Sequence, residues 1–379
     1  MYSENNFKSA NLTKPRARDL GVPFEGIPGK WNAITDVAGV EVGYSTIVTG
    51  EEVRTGVTAI LPRGKLNNDP VFGAWFPLNG NGEMTGSAWL EESGFLEGPV
   101  MITNTHSVGV VRDAVISWQV AGKRMFQPWS NPVIAETFDG FLNDINGFHV
   151  RPEHVLAALE QAQSGPVEEG NVGGGTGMVC FEFKGGTGSS SRILPLAFGG
   201  WTVGVLVQAN FGRRSQLSIA GVPVGKLIRE NAPFTDGRDA FEDTFEEHGS
   251  IIAVLATDAP LLPHQLKRLA KRAAIGIART GGMSGNGSGD IFLAFSTANF
   301  SAANAGATGS PGGIAQLQAL DNQHIDPLLW ASAYCVEEAI VNTLVAATTM
   351  VGFKKHTVHA IPRDRLREIF NPNKDETIK

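Results

Sequence analysis

Short runs of β-branched and apolar residues, separated by glycines, recur along most of the chain. They predict strands at 33–42, 55–61, 98–103, 178–184, 203–209, 251–257 and 291–296. Several, such as Ile-Ile-Ala-Val-Leu-Ala-Thr at 251–257, lack polar alternation, so neither face suits water and both need cover. Stretches with helical spacing can supply it: 107–120, 152–163 with proline in its first turn, 263–279 closed by Gly281-Gly282, and 326 to about 350. In 263–279, Leu266, Leu269, Ala273 and Ile277 mark one face and Lys267, Arg268, Lys271 and Arg272 the other. A solvated basic face is favoured there over a membrane-surface helix. No fixed-period repeat and no Pro- or Ser-rich linker divides the chain, so the pattern predicts one layered domain over residues 1–379.

Composition narrows the picture further. The 46 glycines fit many tight turns between strands, and the stretch 301–313 reads as a surface loop. A second polar, charged stretch, 231–248, suits a protruding linker. A formal net charge of −7 offers no basic field for a phosphate backbone, so nucleic acid is not expected as a partner. No apolar run approaches the roughly 20 residues of a membrane span, and the N-terminus lacks the basic and apolar regions of a signal peptide. The chain as given is expected to be soluble, with a cytoplasmic or a periplasmic home both open. Cys180 and Cys335 sit in apolar surroundings and read as structural thiols. The glycine-rich 170–177 is neither a complete dinucleotide fingerprint nor a phosphate loop, and the eight histidines form no metal motif. No metal or cofactor is expected. A Gly-x-Ser-x-Gly elbow is missing too, so a serine hydrolase here need not use histidine as its base.

Candidate chemistry gathers at Gly249-Ser250, which follows the charged stretch and directly precedes an apolar strand. Gly249 has no side chain to shield its carbonyl, and the Ser250 hydroxyl could attack that carbon, exchanging the peptide for an ester that water then hydrolyses. The product would be a serine bearing a hydroxyl and a free α-amine, whose pKa of about 7.7–8.0 leaves an appreciable fraction neutral near physiological pH. Alone, a Gly-Ser pair before a strand is common in any glycine-rich β protein. A second feature strengthens it: in Gly285-Asn-Gly-Ser-Gly-Asp290, Ser288 and Asp290 would share a face if extended, presenting a hydroxyl and a carboxylate together.

The run Glu-Glu-His-Gly-Ser-Ile-Ile-Ala-Val-Leu-Ala-Thr-Asp-Ala-Pro, with Asn-Gly-Ser-Gly-Asp-Ile-Phe-Leu-Ala-Phe-Ser-Thr after it, strongly resembles the DmpA-type aminopeptidases. These are the L-aminopeptidase/D-esterase/amidases and β-peptidyl aminopeptidases. The resemblance extends over most of the chain, through Pro-Arg-Ala-Arg-Asp-Leu-Gly from Pro15, Asn-Ala-Ile-Thr-Asp-Val-Ala-Gly-Val from Asn32, Glu-Gly-Asn-Val-Gly-Gly-Gly-Thr-Gly-Met from Glu169 and Val-Gly-Val-Leu-Val-Gln-Ala-Asn from Val203. It implies an α+β, four-layer αββα sandwich of the N-terminal-nucleophile hydrolase type. It also implies autoproteolysis into an α chain, 1–249, and a β chain, 250–379, often assembled as a tetramer.

The implied activity is metal-free release of N-terminal residues, L-α, β or D, from short peptides, amides and esters. Ser250 takes the nucleophile's place, with Ser288 and Asp290 as its helpers. Some members carry Glu where Asp290 stands one methylene shorter, and whether the α-amine or the Ser288–Asp290 pair is the dominant base stays open. Asn210, otherwise a turn residue, matches the oxyanion residue. Glu136, otherwise a surface or capping acid, matches the site for the substrate's ammonium. Lys184 is a candidate source of positive charge in the pocket, while Phe126 and Trp129 are candidates for an apolar wall, or else core. Two alternatives remain: an acyltransferase of the ornithine acetyltransferase type, which the chain resembles less and which uses Thr, and a catalytically silent scaffold.

Overall fold

The computed structural model describes residues 14–233, 249–306 and 309–371. In chain order the first half contains β1 (Glu41–Thr49), β2 (Val53–Leu61), β3 (Val71–Pro77), α1 (Ser87–Ser93), β4 (Phe95–Leu96), β5 (Val100–Asn104), α2 (Val108–Ala121), β6 (Val133–Thr137), α3 (Pro152–Glu160), β7 (Val179–Cys180), β8 (Phe183–Lys184) and β9 (Gly186–Ile193). There follow β10 (Thr202–Asn210), α4 (Val224–Leu227), β11 (Ser250–Thr257), α5 (Pro263–Arg279), β12 (Ile291–Ser296), α6 (Asp326–Ala346), β13 (Met350–Val351), β14 (Thr357–Val358) and α7 (Arg363–Phe370).

Two sheets carry the fold, one ordered β1-β2-β5-β6 and the other β4-β3-β12-β11-β10-β9. Alternation along the strands assigns the layers. In β11, Ile252, Val254 and Ala256 meet Ile60, Ile102 and Ala135 of the smaller sheet, whereas Ile251, Ala253 and Leu255 meet Leu266, Ala273 and Ile340 of α5 and α6. On the far side Val57, Ala59 and Met101 pack under Val111, Val115 and Val155 of α2 and α3. Three apolar interfaces between four layers make the αββα sandwich, and they explain why these strands have no wet face.

Helix α5 spans the expected residues with the expected buried face, and β12 starts and ends where the apolar run does. Elsewhere the pattern misled. The expected strand at 33–42 opens instead with a 3₁₀ turn, Ile34–Asp36, because the Asp36 carboxylate accepts the backbone N–H groups of Trp31 (2.9 Å) and Ala33 (3.1 Å). The expected strand at 178–184 is a tight hairpin of β7 and β8, with Phe181 and Glu182 both left-handed at its turn. Of the charged stretch 231–248, all but residues 231–233 lies outside the described residues. Also corrected is the absence of any long apolar span. α6 is long and apolar enough by length and composition to cross a membrane, but 89% of its apolar window is buried within the fold, against the larger sheet.

Candidate active site

β10 and β11 run antiparallel with Asn210 opposite Ser250, so the last residue of one strand and the first of the other meet at the edge of the inter-sheet space. Ser250 is 5% exposed and opens onto a cleft of about 520 Å³, walled by Gly82, Glu136, Phe138, Gly249, Ser250 and Gly287. Gly249 has φ 146°, and a Cβ there would lie 2.1 Å from the Asn210 carbonyl oxygen. Only glycine lets the chain pass this close to β10 while presenting its carbonyl beside Ser250.

β12 pairs in parallel with β11, which brings the loop before it to the same edge. Ser288 donates to Asp290 Oδ1 at 2.6 Å, and the Ile251 N–H reaches the same oxygen at 3.2 Å. Both Ser288 and Asp290 are buried. Burial raises the Asp290 pKa, while the Ser284 and Ser288 hydroxyls and the Ile251 amide oppose that rise. A turn closed by Ser288 N–H to Gly285 O (2.9 Å) leads into the Ser288–Gly289–Asp290 segment just before β12.

Glu136 lies on β6, alongside Thr103 of β5. Its Oε1 accepts the Glu83 N–H at 2.9 Å and its Oε2 the Thr105 hydroxyl. Burial raises its pKa and these two donors pull it back, leaving a carboxylate held in place at the cleft wall. Asn210 has an orientation that its neighbours dictate: Oδ1 accepts from Val179 N–H (2.8 Å) and Nδ2 donates to Phe138 O (2.9 Å). One Nδ2 hydrogen is left over for another acceptor.

The remaining candidates stand apart from the cleft wall. Lys184 is fully buried, and its ammonium donates to three backbone carbonyls, Met178 (2.7 Å), Gly185 (2.9 Å) and Gly175 (3.5 Å). Burial lowers its pKa to about 7. It contributes no side chain to the pocket. Trp129 is 58% exposed and Phe126 half-buried, and neither walls the cleft; the aromatic that does is Phe138.

Sequence reasoning missed a group of supporting residues. Asn79 donates to the carbonyls of Ser284 and Gly285 (3.0 Å each) and accepts the Asp290 N–H at 2.8 Å, while Asn81 holds Gly287 O at 2.9 Å. The alternation Asn-Gly-Asn-Gly at 79–82, just past the end of β3, was the available signal, since paired amides suit the clamping of a glycine-rich loop. Thr105, which anchors Glu136, carried no such mark.

Comparison with known proteins gives the family and the fold. A β-peptidyl aminopeptidase BapA of Sphingosinicella microcystinivorans is 54% identical over 374 residues, covering 95% of this chain and 93% of that protein. Another, from Sphingosinicella xenopeptidilytica, is 45% identical over 376 residues, with coverage of 95% and 92%. Among solved structures, the L-aminopeptidase D-Ala-esterase/amidase of Ochrobactrum anthropi, described as a prototype of the serine aminopeptidases and a variant of the Ntn hydrolase fold, superposes with a TM-score of 0.86. It is 47% identical and covers 95% of this chain and 99% of that one. A Burkholderia sp. β-aminopeptidase matches equally well, with the same TM-score, identity and coverage. The fold is thus Ntn-hydrolase-like, and residues 32–358 match peptidase family S58, to which the chain belongs.

Proposed function

We propose that this serine aminopeptidase matures by cutting its own Gly249–Ser250 bond and then uses Ser250 as an N-terminal nucleophile. The observation that carries the reading is the register of Asn210 with Ser250, which sets a side-chain amide donor beside a serine whose preceding glycine tolerates no side chain. In maturation Ser250 Oγ attacks the Gly249 carbonyl carbon, the peptide becomes an ester, and water hydrolyses it. This leaves an α chain, 1–249, and a β chain, 250–379, within one domain. In turnover the Ser250 proton passes to the liberated amine or to the Ser288–Asp290 pair. Asn210 Nδ2 receives the charge that develops on the substrate's carbonyl oxygen. The leaving amine departs protonated, and water releases the acyl group.

Glu136 supports a substrate with a free ammonium, so the enzyme removes N-terminal residues from short peptides and amides. The relatives' names favour β-amino acids as the released residue. A homo-oligomer of αβ units is part of the proposal, supported by Ile275 and Trp330 standing exposed on the α5–α6 face; sedimentation would measure it. Intact mass and N-terminal sequencing of wild type beside Ser250→Ala test the core of the reading. Two chains with a new N-terminus at Ser250 are expected from the wild type and one chain from the variant. A single intact chain from an active wild type overturns it. Turnover of matched L-α-, β- and D-aminoacyl amides then ranks the substrates.

A further inference from the structure

Asn210 is gripped from behind by the β7–β8 hairpin, and the construction of that hairpin is unusual. Its turn residues, Phe181 (φ 49°) and Glu182 (φ 59°), are both left-handed without being glycine, a conformation that disfavours side-chain-bearing residues. Arg214 holds them there: its buried guanidinium donates to the Phe181 carbonyl (3.2 Å) and to the Glu182 carbonyl, and it stacks 3.4 Å over the Phe183 ring. At the open end Lys184 closes the structure, with its ammonium on Met178, Gly185 and Gly175. Among the described residues no carboxylate pairs with that ammonium. A buried unpaired cation is costly, and a methionine would fill similar space without the charge.

The Met178 carbonyl and the Val179 N–H belong to one peptide group. Lys184 Nζ donates to its oxygen at 2.7 Å, and its N–H donates to Asn210 Oδ1 at 2.8 Å. We propose that Lys184 is a positioning residue for catalysis: through the Met178–Val179 peptide it orients and polarises the Asn210 amide, so that Nδ2 is a stronger and better-aimed donor to the oxyanion. Hydrogen bonds in series reinforce one another where the dielectric is low, and every member of this chain is buried or nearly so. The Nζ donor thus acts from behind the site, two hydrogen bonds from Asn210, and never lines the cleft; it carries its positive charge below the pKa of about 7 to which burial lowers it. This inference rests on the reading of Asn210 as the oxyanion donor.

A double-mutant cycle tests both. Lys184→Met, Lys184→Gln, Asn210→Ala and the combined variants are purified, processed sites are counted with an active-site serine reagent, and kcat and KM are measured per site. A variant that matures slowly is also read on its rate of precursor cleavage. Asn210→Ala is expected to lower kcat about 100-fold, the usual effect of losing an oxyanion donor. Lys184→Met should lower kcat about tenfold with KM within about twofold, Lys184→Gln should fall between it and wild type because it keeps a donor without the charge, and neither should cause further loss on the Asn210→Ala background. A wild-type kcat in Asn210→Ala removes the oxyanion reading itself. A normal Asn210 effect with a Lys184→Met loss that multiplies in full on the Asn210→Ala background, or that falls on KM alone, overturns the role of Lys184 only. Should Lys184→Met fail to fold, Lys184→Gln decides: wild-type kcat overturns the proposal, and a severalfold fall that disappears on the Asn210→Ala background supports it.

Discussion

Glu136→Gln separates charge from shape at the cleft wall. The glutamine can keep both anchors, its carbonyl oxygen accepting the Glu83 N–H and its amide donating to Thr105, whose hydroxyl can reverse its role. What disappears is the negative charge facing a substrate ammonium. Two unit charges about 3 Å apart at an effective dielectric near 20 attract by roughly 5–6 kcal/mol. Desolvating the pair removes about half of that, leaving about 2–3 kcal/mol, or roughly 30- to 150-fold in kcat/KM. The assay compares an aminoacyl amide with the same acyl amide lacking its amine. Wild type should prefer the aminated substrate strongly, and the variant should lose that factor on it while handling the desamino compound as before. Equal losses on both substrates, or none on either, would refute an ammonium site at Glu136. The pH profile is a second check. Burial raises the Glu136 pKa, so the carboxylate, and binding with it, is lost on acidification at a higher pH than for an ordinary glutamate. That acid limb should be missing from Glu136→Gln.

Gly249→Ala would place a methyl 2.1 Å from the Asn210 oxygen at φ 146°, and the conformation alone costs about 1–3 kcal/mol. Precursor cleavage followed by intact mass should slow by about tenfold or more, and an unchanged half-time would contradict the fit argued for this glycine. Asn79→Ala removes three hydrogen bonds from the Ser288 loop, each worth about 1 kcal/mol net; kcat should fall about tenfold or more, with a lowered Tm, and wild-type kinetics would show that the loop holds itself. Glu338→Gln tests a site remote from the cleft. Although burial opposes it, Arg192 and Arg18 hold the Glu338 pKa down to about 2. Neutralising that carboxylate leaves the buried Arg192 guanidinium, and the part-exposed one of Arg18, without their anion and should cost about 3 kcal/mol in chemical denaturation. Since the folded pKa lies below the unfolded one, this stabilisation is complete above the ordinary glutamate range and is lost as pH falls through about 4.5 toward 2. Acid unfolding of the variant should therefore be less steep in that window.

How much could be read in advance depended on what each segment is packed against. β11 and β12 lie at the centre of the larger sheet, covered on both faces by apolar side chains, so their runs are uninterrupted and their ends were visible in the sequence. β9 is the opposite case. Gly-Thr-Gly-Ser-Ser-Ser-Arg-Ile looks like a loop, yet all of it but Ile193 is buried. A Cβ at Gly188 would come within 2.1 Å of the Ala339 carbonyl of α6, so small residues are required for the helix to lie this close. The three serines find partners inside the fold: Val205 O for Ser189, Cys335 O for Ser190 and the Asp36 carboxylate for Ser191. Polar composition there reflects close approach rather than solvent. The site divides in the same way. Gly249, Ser250, Ser288 and Asp290 sit at the mouths of two central strands, where a glycine, a hydroxyl and a carboxylate are conspicuous against apolar neighbours. Glu136 and Asn210 also stand at strand ends, but in isolation each resembles a capping or turn residue, and only family resemblance singled them out. The structure adds what neither route supplied, which is who holds them: Thr105 and the Glu83 amide for one, the Val179 amide and the Phe138 carbonyl for the other. Backbone groups do most of that holding, and a backbone donor leaves no signature in the residue that provides it.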